Sequence, residues 1–223
     1  MSTHDATRRT FLIRAAAGAG AVAGAGLAPD EAAQAAGQHD AAAGTTQPRA
    51  GSSQHGAFFN HDQAQTIAAL TERIMPGAPG KPGARDAGVL NYIDLALAGA
   101  YSDLQDVYRR GLAQLDAYCR ATFNEPFVRL DAPRQDRVVA SLEDDAATGF
   151  TWPTAQEFFA VVRTHTMEGM FADPIYGGNR DFAGWRLVGF PGAQPVFTSS
   201  DMRSRQAFTR VPMTGLQIQA RRP

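Results

Sequence analysis

Between Phe58 and Phe171 apolar residues return every three or four positions, the period of helices that bury one face. The first stripe, Ile67, Leu70, Ile74 and Met75, follows Asn60 and Asp62, either of which can cap a helix, and it stops at Pro76-Gly77. Gly77 to Gly83 packs two prolines and three glycines into seven positions and reads as a loop. A second helix is predicted from about Asp86 to Leu97, with Val89, Leu90, Ile93 and Leu97 inward and Gly99 at its end. The third and longest, about Ser102 to Thr122, carries Leu104, Val107, Tyr108, Leu112, Leu115 and Tyr118-Cys119. Asp131 can cap a fourth, with Pro133 in the first turn, where its missing N–H does no harm, and Val138, Val139 and Leu142 form its core face. Thr154 caps a fifth, about Ala155 to Phe171, with Phe158, Phe159, Val162, Met167 and Met170, and Pro174 ends it. No stretch alternates as a strand would. The expected fold class is all-α, about five helices in a compact bundle.

Past Asp173 the periodicity is lost. Residues 173–197 are rich in Gly and Pro yet hold Tyr176, Phe182, Trp185, Phe190 and Phe197, so this irregular segment should be buried against something. From Ser199 onward five arginines face one aspartate, with no amphipathic period; this end reads as an extended C-terminal arm. The other end has a different character. Arg8-Arg9-Thr10-Phe11-Leu12 precedes an Ala/Gly-rich stretch, and Ala33-Gln34-Ala35 offers a small-x-small cleavage site. The adjacent arginines with Phe11 and Leu12, and a glycine-diluted apolar core, resemble a twin-arginine export signal, which carries proteins across the membrane already folded. The resulting division is 1–35 signal peptide, 36–57 flexible linker, 58–198 helical domain and 199–223 tail. No later stretch is apolar for long enough to span a bilayer, so the mature protein is expected to be soluble and periplasmic, with any membrane association coming from partner subunits.

Composition narrows the chemistry. The 223 residues carry 21 basic and 22 acidic side chains, which argues against electrostatic nucleic-acid binding. One cysteine, Cys119, excludes an intrachain disulfide and Cys-based zinc or iron–sulfur sites. Lys81 is the only lysine, and it lies in the Gly/Pro loop. Of five histidines only His165 stands in a helix interior, three residues before Glu168 and hence on the same face. A bundle metal site needs that pair twice with two further carboxylates, and no second pair exists, so a satisfied structural histidine is the favoured reading. There is no Gly-x-Ser-x-Gly elbow, and Gly177-Gly178-Asn179 follows no strand and precedes no Gly-Lys-Ser/Thr, so it reads as a tight turn rather than a phosphate loop. The sequence is thus that of a chain exported folded with no cofactor, metal or catalytic residue of its own.

The run from His165 to Gly192, HTMEGMFADPIYGGNRDFAGWRLVGFPG, resembles the gluconate 2-dehydrogenase subunit 3 family. The resemblance rests on Glu168-Gly169, Asp173-Pro174, Tyr176-Gly177-Gly178-Asn179, Gly184-Trp185 and Gly189-Phe190-Pro191-Gly192, and upstream on Ile74-Met75-Pro76, Gly83 to Gly88 and Tyr108 to Leu112. It implies a small subunit of an exported sugar or polyol dehydrogenase, whose large partner is an FAD-binding protein of the glucose-methanol-choline type. A membrane-anchored subunit carrying haem c often completes such complexes. The resemblance transfers no catalytic residue to this chain. Tyr176, Asn179, Arg180, Trp185 and Phe190 are the candidates for contact with the partner, and the tail for lying along an acidic surface of it. Two alternatives stand beside this: a stand-alone metal-dependent enzyme using His165 and Glu168, and a transient periplasmic assembly chaperone.

Overall fold

A computed structural model describes residues 56–206 and 210–219. The export signal with Arg8, Arg9, Phe11 and Leu12, most of the linker, and parts of the tail lie outside the described residues.

Five helices of ten or more residues form the body: α1 His61–Ile74, α2 Val89–Ala98, α3 Gln105–Phe123, α4 Ala132–Glu143 and α5 Ala155–Phe171. Among the described residues there is no strand, only isolated bridges at Ala78–Lys81 and Gly192–Met213. The protein is all-α. Local chemistry sets the helix starts. Asn60 accepts a hydrogen bond from the Gln63 N–H, and the Gln63 side chain accepts one from the Asn60 N–H, a reciprocal pair that satisfies two donors a helix start would leave bare. Thr154 and Glu157 do the same for α5, and Asp131 caps α4 by accepting from the Arg134 N–H.

Two boundaries differ from the periodicity. Helix α2 begins at Val89, not Asp86, because Gly88 takes a left-handed conformation (φ +71°) and the Asp86 carboxylate is occupied as acceptor for the Gly83 N–H. Residues Ser102–Leu104 form a 3₁₀ turn, and α3 proper starts at Gln105 and ends at Asn124, which is left-handed at φ +59°.

Helix α5 is the axis of the bundle, in contact with α1, α2, α3 and α4. It buries residues around much of its circumference: Phe158, Phe159, Val162, His165, Thr166, Gly169 and Met170. A helix surrounded on so many sides cannot be strongly amphipathic. Its neighbours approach closely where side chains are missing. A Cβ on Gly111 of α3 would overlap the Phe158 ring, and one on Gly169 would press on Val89 and Tyr92. Ile67, Leu70, Ile93, Leu97, Leu115, Val138 and Leu142 complete the core, each contributing roughly 1.5–3 kcal/mol by leaving water. Arg73 of α1 and Asp136 of α4 form a two-pronged ion pair at 2.6 and 2.8 Å that fixes the register of those helices.

Beyond α5 the chain is irregular but not featureless. Turns of 3₁₀ helix at Pro174–Tyr176 and Arg180–Phe182 lead into α6, Ala183–Val188. The tail holds two further short helices, α7 Ser199–Arg203 and α8 Gly215–Gln219. Its described part returns to the body: the Met213 N–H donates to Pro191, the Ala193 N–H donates to Met213, and the Gly215 N–H donates to the Asp173 carboxylate. The extended arm expected from the sequence is therefore not extended over these residues. Local capping pairs, Thr198 with Asp201 and Thr214 with Gln217, start short helices that no apolar period announces. No helix among the described residues is long and apolar enough to cross a membrane.

Candidate functional site

The polar residues singled out by sequence fall in two places. His165 and Glu168 lie on α5 inside the bundle. The His165 ring is buried, stacked on Tyr101 at 4.6 Å, with its Nδ1 2.9 Å from the Tyr108 hydroxyl. Burial pushes its pKa down to about 4, so it is neutral at neutral pH. Burial, reinforced by the Glu168 charge, raises the Tyr92 and Tyr108 phenols well above their ordinary range, so both keep their protons. The Glu168 carboxylate accepts from the Tyr92 hydroxyl at 2.9 Å and from the Tyr101 hydroxyl at 3.1 Å. The result is a tyrosine-rich network joining α2, the turn before α3, α3 itself and α5. The i, i+3 spacing does bring His165 and Glu168 to one region, but each is engaged by phenols. Among the described residues no three His, Cys, Asp or Glu side chains converge as a metal site would require. This arrangement holds four elements in register.

The second place is the segment from Asp173 to Gly192. Asn179 is fully buried and left-handed (φ +45°). Its N–H donates to the Gly169 carbonyl at 2.7 Å, its Nδ2 donates to the Ala172 carbonyl at 2.9 Å, and its Oδ1 accepts from the Gly184 N–H at 2.9 Å. One side chain thereby satisfies the last turn of α5 and the first turn of α6. Gly178 and Gly184 lie against the Gly169 and Met170 carbonyls, where a Cβ would overlap backbone. Trp185 is 5% exposed, and its Nε1 donates to the Phe171 carbonyl at 2.7 Å. The Arg180 guanidinium reaches back to the Arg85 and Asp86 carbonyls, and its N–H donates to Ala87. Asn179 and Trp185 are thus interior fastenings, and Arg180 clamps the loop before α2. Of the partner candidates, Tyr176 and Phe190, 37% and 48% exposed, present apolar surface, and Arg180 is exposed as well.

Sequence reasoning missed Asp94. It is buried on α2, and its carboxylate accepts from three successive backbone N–H groups, Ala57, Phe58 and Phe59, at 2.8–3.0 Å. Arg109 lies over the Phe58 ring at 5.0 Å, completing the hold. Ala57, expected in the linker, is already fixed. A charged residue within the apolar stripe of α2 was the available signal.

Residues 61–192 match the family model for gluconate 2-dehydrogenase subunit 3, well over half of the chain. The chain belongs to the gluconate 2-dehydrogenase subunit 3 family. It is accordingly a small subunit of a multi-subunit oxidoreductase complex. The match ends at Gly192, so the fastenings around Asn179 and Trp185 lie within it and the α7–α8 tail beyond it. No curated protein and no solved structure matches the chain.

Proposed function

We propose that this chain is the non-catalytic small subunit of a periplasmic, flavin-dependent sugar or polyol dehydrogenase. It binds the folded large subunit, an FAD-binding protein of the glucose-methanol-choline type, stabilises it, and escorts it through twin-arginine export. Electrons from such a flavoprotein would pass to a haem c subunit anchored in the membrane. The substrate is selected by the large subunit.

One observation carries this reading. Twelve large apolar side chains are exposed among the described residues, and nine of them, from Ile175 to Leu216, lie after α5. The five-helix body exposes only Leu95 and Met167, with Trp152 just before α5. No buried side-chain nitrogen or oxygen among the described residues lacks a partner. A body with no unsatisfied buried side-chain group among the described residues, followed by a segment rich in exposed apolar side chains, is organised for binding another macromolecule.

Co-expression with the large subunit tests the proposal. Arg8→Lys with Arg9→Lys should leave the flavoprotein active but in the cytoplasm, while the unaltered chain brings both to the periplasm as one species on size-exclusion chromatography. Full export of active flavoprotein with the doubly substituted chain would end the escort role. Active dehydrogenase eluting without the small subunit would favour a transient chaperone. Turnover of a polyol by the purified chain alone would require an enzyme.

A further inference from the structure

A cleft of about 340 Å³ opens between α6 and the returning tail. Its walls are Trp185, Phe190, Val211 and Pro212, with Gly189 in the gap and the guanidinium-bearing Arg186 and Arg210 at its edge. The aromatic wall is rigid. Trp185 is pinned through Nε1 to Phe171, and Phe190 meets it edge-on at 5.1 Å. Arg210 is held by Asp201 at 2.9 Å, outside the lining. Arg186 has no ion pair or side-chain hydrogen bond among the described residues. On its other side it borders a second cleft containing Asp86 and Asp181, neither of which reaches it as an ion pair. Among the described residues no carboxylate lines the first cleft.

The geometry points to a recognition slot in which an apolar side chain from an acidic loop of the large subunit enters between Trp185, Phe190 and Pro212, while a carboxylate beside it pairs with Arg186. This inference rests on the reading of the chain as a docking subunit. Two features select a protein loop over a small acid. Charge complementarity calls for an anion beside Arg186, the lining arginine not already paired with a carboxylate as Arg210 is with Asp201. The segment that forms the cleft also exposes Val188, Val196, Met202 and Val211, 60, 64, 77 and 71%, apolar surface that a small acid bound in the cleft would leave in water. A walled apolar slot with an arginine at its edge is the kind of place where a few side chains supply most of the binding energy of an interface. The charge pair adds orientation and on-rate. The slot also accounts for the returning tail: Met213 pairs with Pro191 and Ala193, so the far wall of Val211 and Pro212 is set by main-chain bonds rather than left loose.

The test titrates the purified small subunit against the purified large subunit. Arg186→Glu and Val211→Asp alter exposed side chains without a structural partner, so melting curves should match the unaltered chain. Each should weaken association about tenfold or more, Arg186→Lys should retain most of it, and Arg129→Glu, at a different cleft lined also by Asp62 and Arg109, should have no effect. Hydrogen exchange in the complex should slow at residues 185–190 and 210–213. If the unaltered chain binds and these variants bind equally well, the slot is wrong and the docking reading survives. If the unaltered chain does not bind the flavoprotein at all, both fall. Saturation of the cleft by acetate or gluconate, with assembly unchanged, would also overturn the slot.

Discussion

Asn179 is where a single substitution should cost most. Replacing it with alanine removes the acceptor for the Gly184 N–H and the donor to the Ala172 carbonyl, both at 2.9 Å. It also removes a longer bond from the Trp185 N–H, at 3.4 Å. The residue is fully buried, so water cannot replace these partners without opening the segment. Each orphaned backbone group costs about 1–3 kcal/mol. Alanine must also occupy the left-handed conformation at φ +45°, which asparagine tolerates through its polar side chain, adding roughly 1 kcal/mol. Counting only the two short bonds, the expected total is about 3–7 kcal/mol, a large part of the ~5–15 kcal/mol that holds a typical domain. Companion variants separate the contributions. Asn179→Gly relieves the backbone strain and should be about 1 kcal/mol more stable than alanine. Asn179→Asp keeps the acceptor but turns a carboxylate oxygen toward the Ala172 carbonyl and buries an unpaired charge, so at neutral pH it should be no more stable than alanine. Urea unfolding followed by far-UV circular dichroism gives the global values, and hydrogen exchange over 169–190 detects a loss confined to α6. If Asn179→Ala unfolds at the unaltered midpoint with unchanged exchange in that stretch, the side chain is not the fastening described above.

Acid should act on the tyrosine-rich network through His165. Its folded pKa is lowered, from an ordinary 6.5 to about 4, so the stability it permits is complete above pH 6.5 and is lost as pH falls toward 4. The loss is roughly 3 kcal/mol across that window. His165→Gln, which can still accept from Tyr108, should flatten that part of the stability profile, and an unchanged acid slope in the variant would refute the assignment. Asp94→Ala removes the acceptor of three N–H donors, of which only Phe59 is fully shut off from water while Ala57 and Phe58 can turn to solvent, and should cost about 2–4 kcal/mol. Limited proteolysis near residue 57 should accelerate in that variant before the helical body is attacked; equal cleavage rates would show that the carboxylate does not hold the segment.

The helical body was legible because its information is local. The apolar period set the five long helices, and side chains such as Asn60, Asp131 and Thr154 set their starts within a few residues of the predicted ones. Helix α5 matched at both ends, since Thr154 caps it and Pro174 follows it at once. The partners of His165 and Glu168 were less legible. Tyr92 and Tyr101 lie 76 and 67 positions from Glu168, and only the packing of α2 on α5 brings them there. Spacing could place His165 and Glu168 together but could not show that phenols already occupy them.

The segment after α5 shows the same limit from the opposite side. Its aromatic residues and glycines looked like one class, yet the fold sorts them: Asn179 and Trp185 turn inward as fastenings, while Tyr176 and Phe190 remain at the surface. What sorts them is main-chain geometry. Gly178 and Gly184 let the chain lie directly on the carbonyls that end α5, and the left-handed run at Asn179, Asp181 and Phe182 turns Trp185 toward Phe171. Phe182 carries no local signal for that conformation; its ring stacks on Trp185 at 5.6 Å, so tertiary packing compensates a backbone cost that its own side chain would not choose. The tail is placed by equally distant partners, Met213 by Pro191 and Ala193, and Gly215 by Asp173. The apolar surface left after this sorting follows from it. Asn179, Gly184 and Trp185 turn inward within the family-matched part of the chain, and five of the nine exposed apolar side chains of this region, Val196, Phe197, Met202, Val211 and Leu216, lie beyond Gly192. The shared segment is spent on closing the fold, and more than half of the exposed apolar side chains of this region belong to the part of the chain that follows.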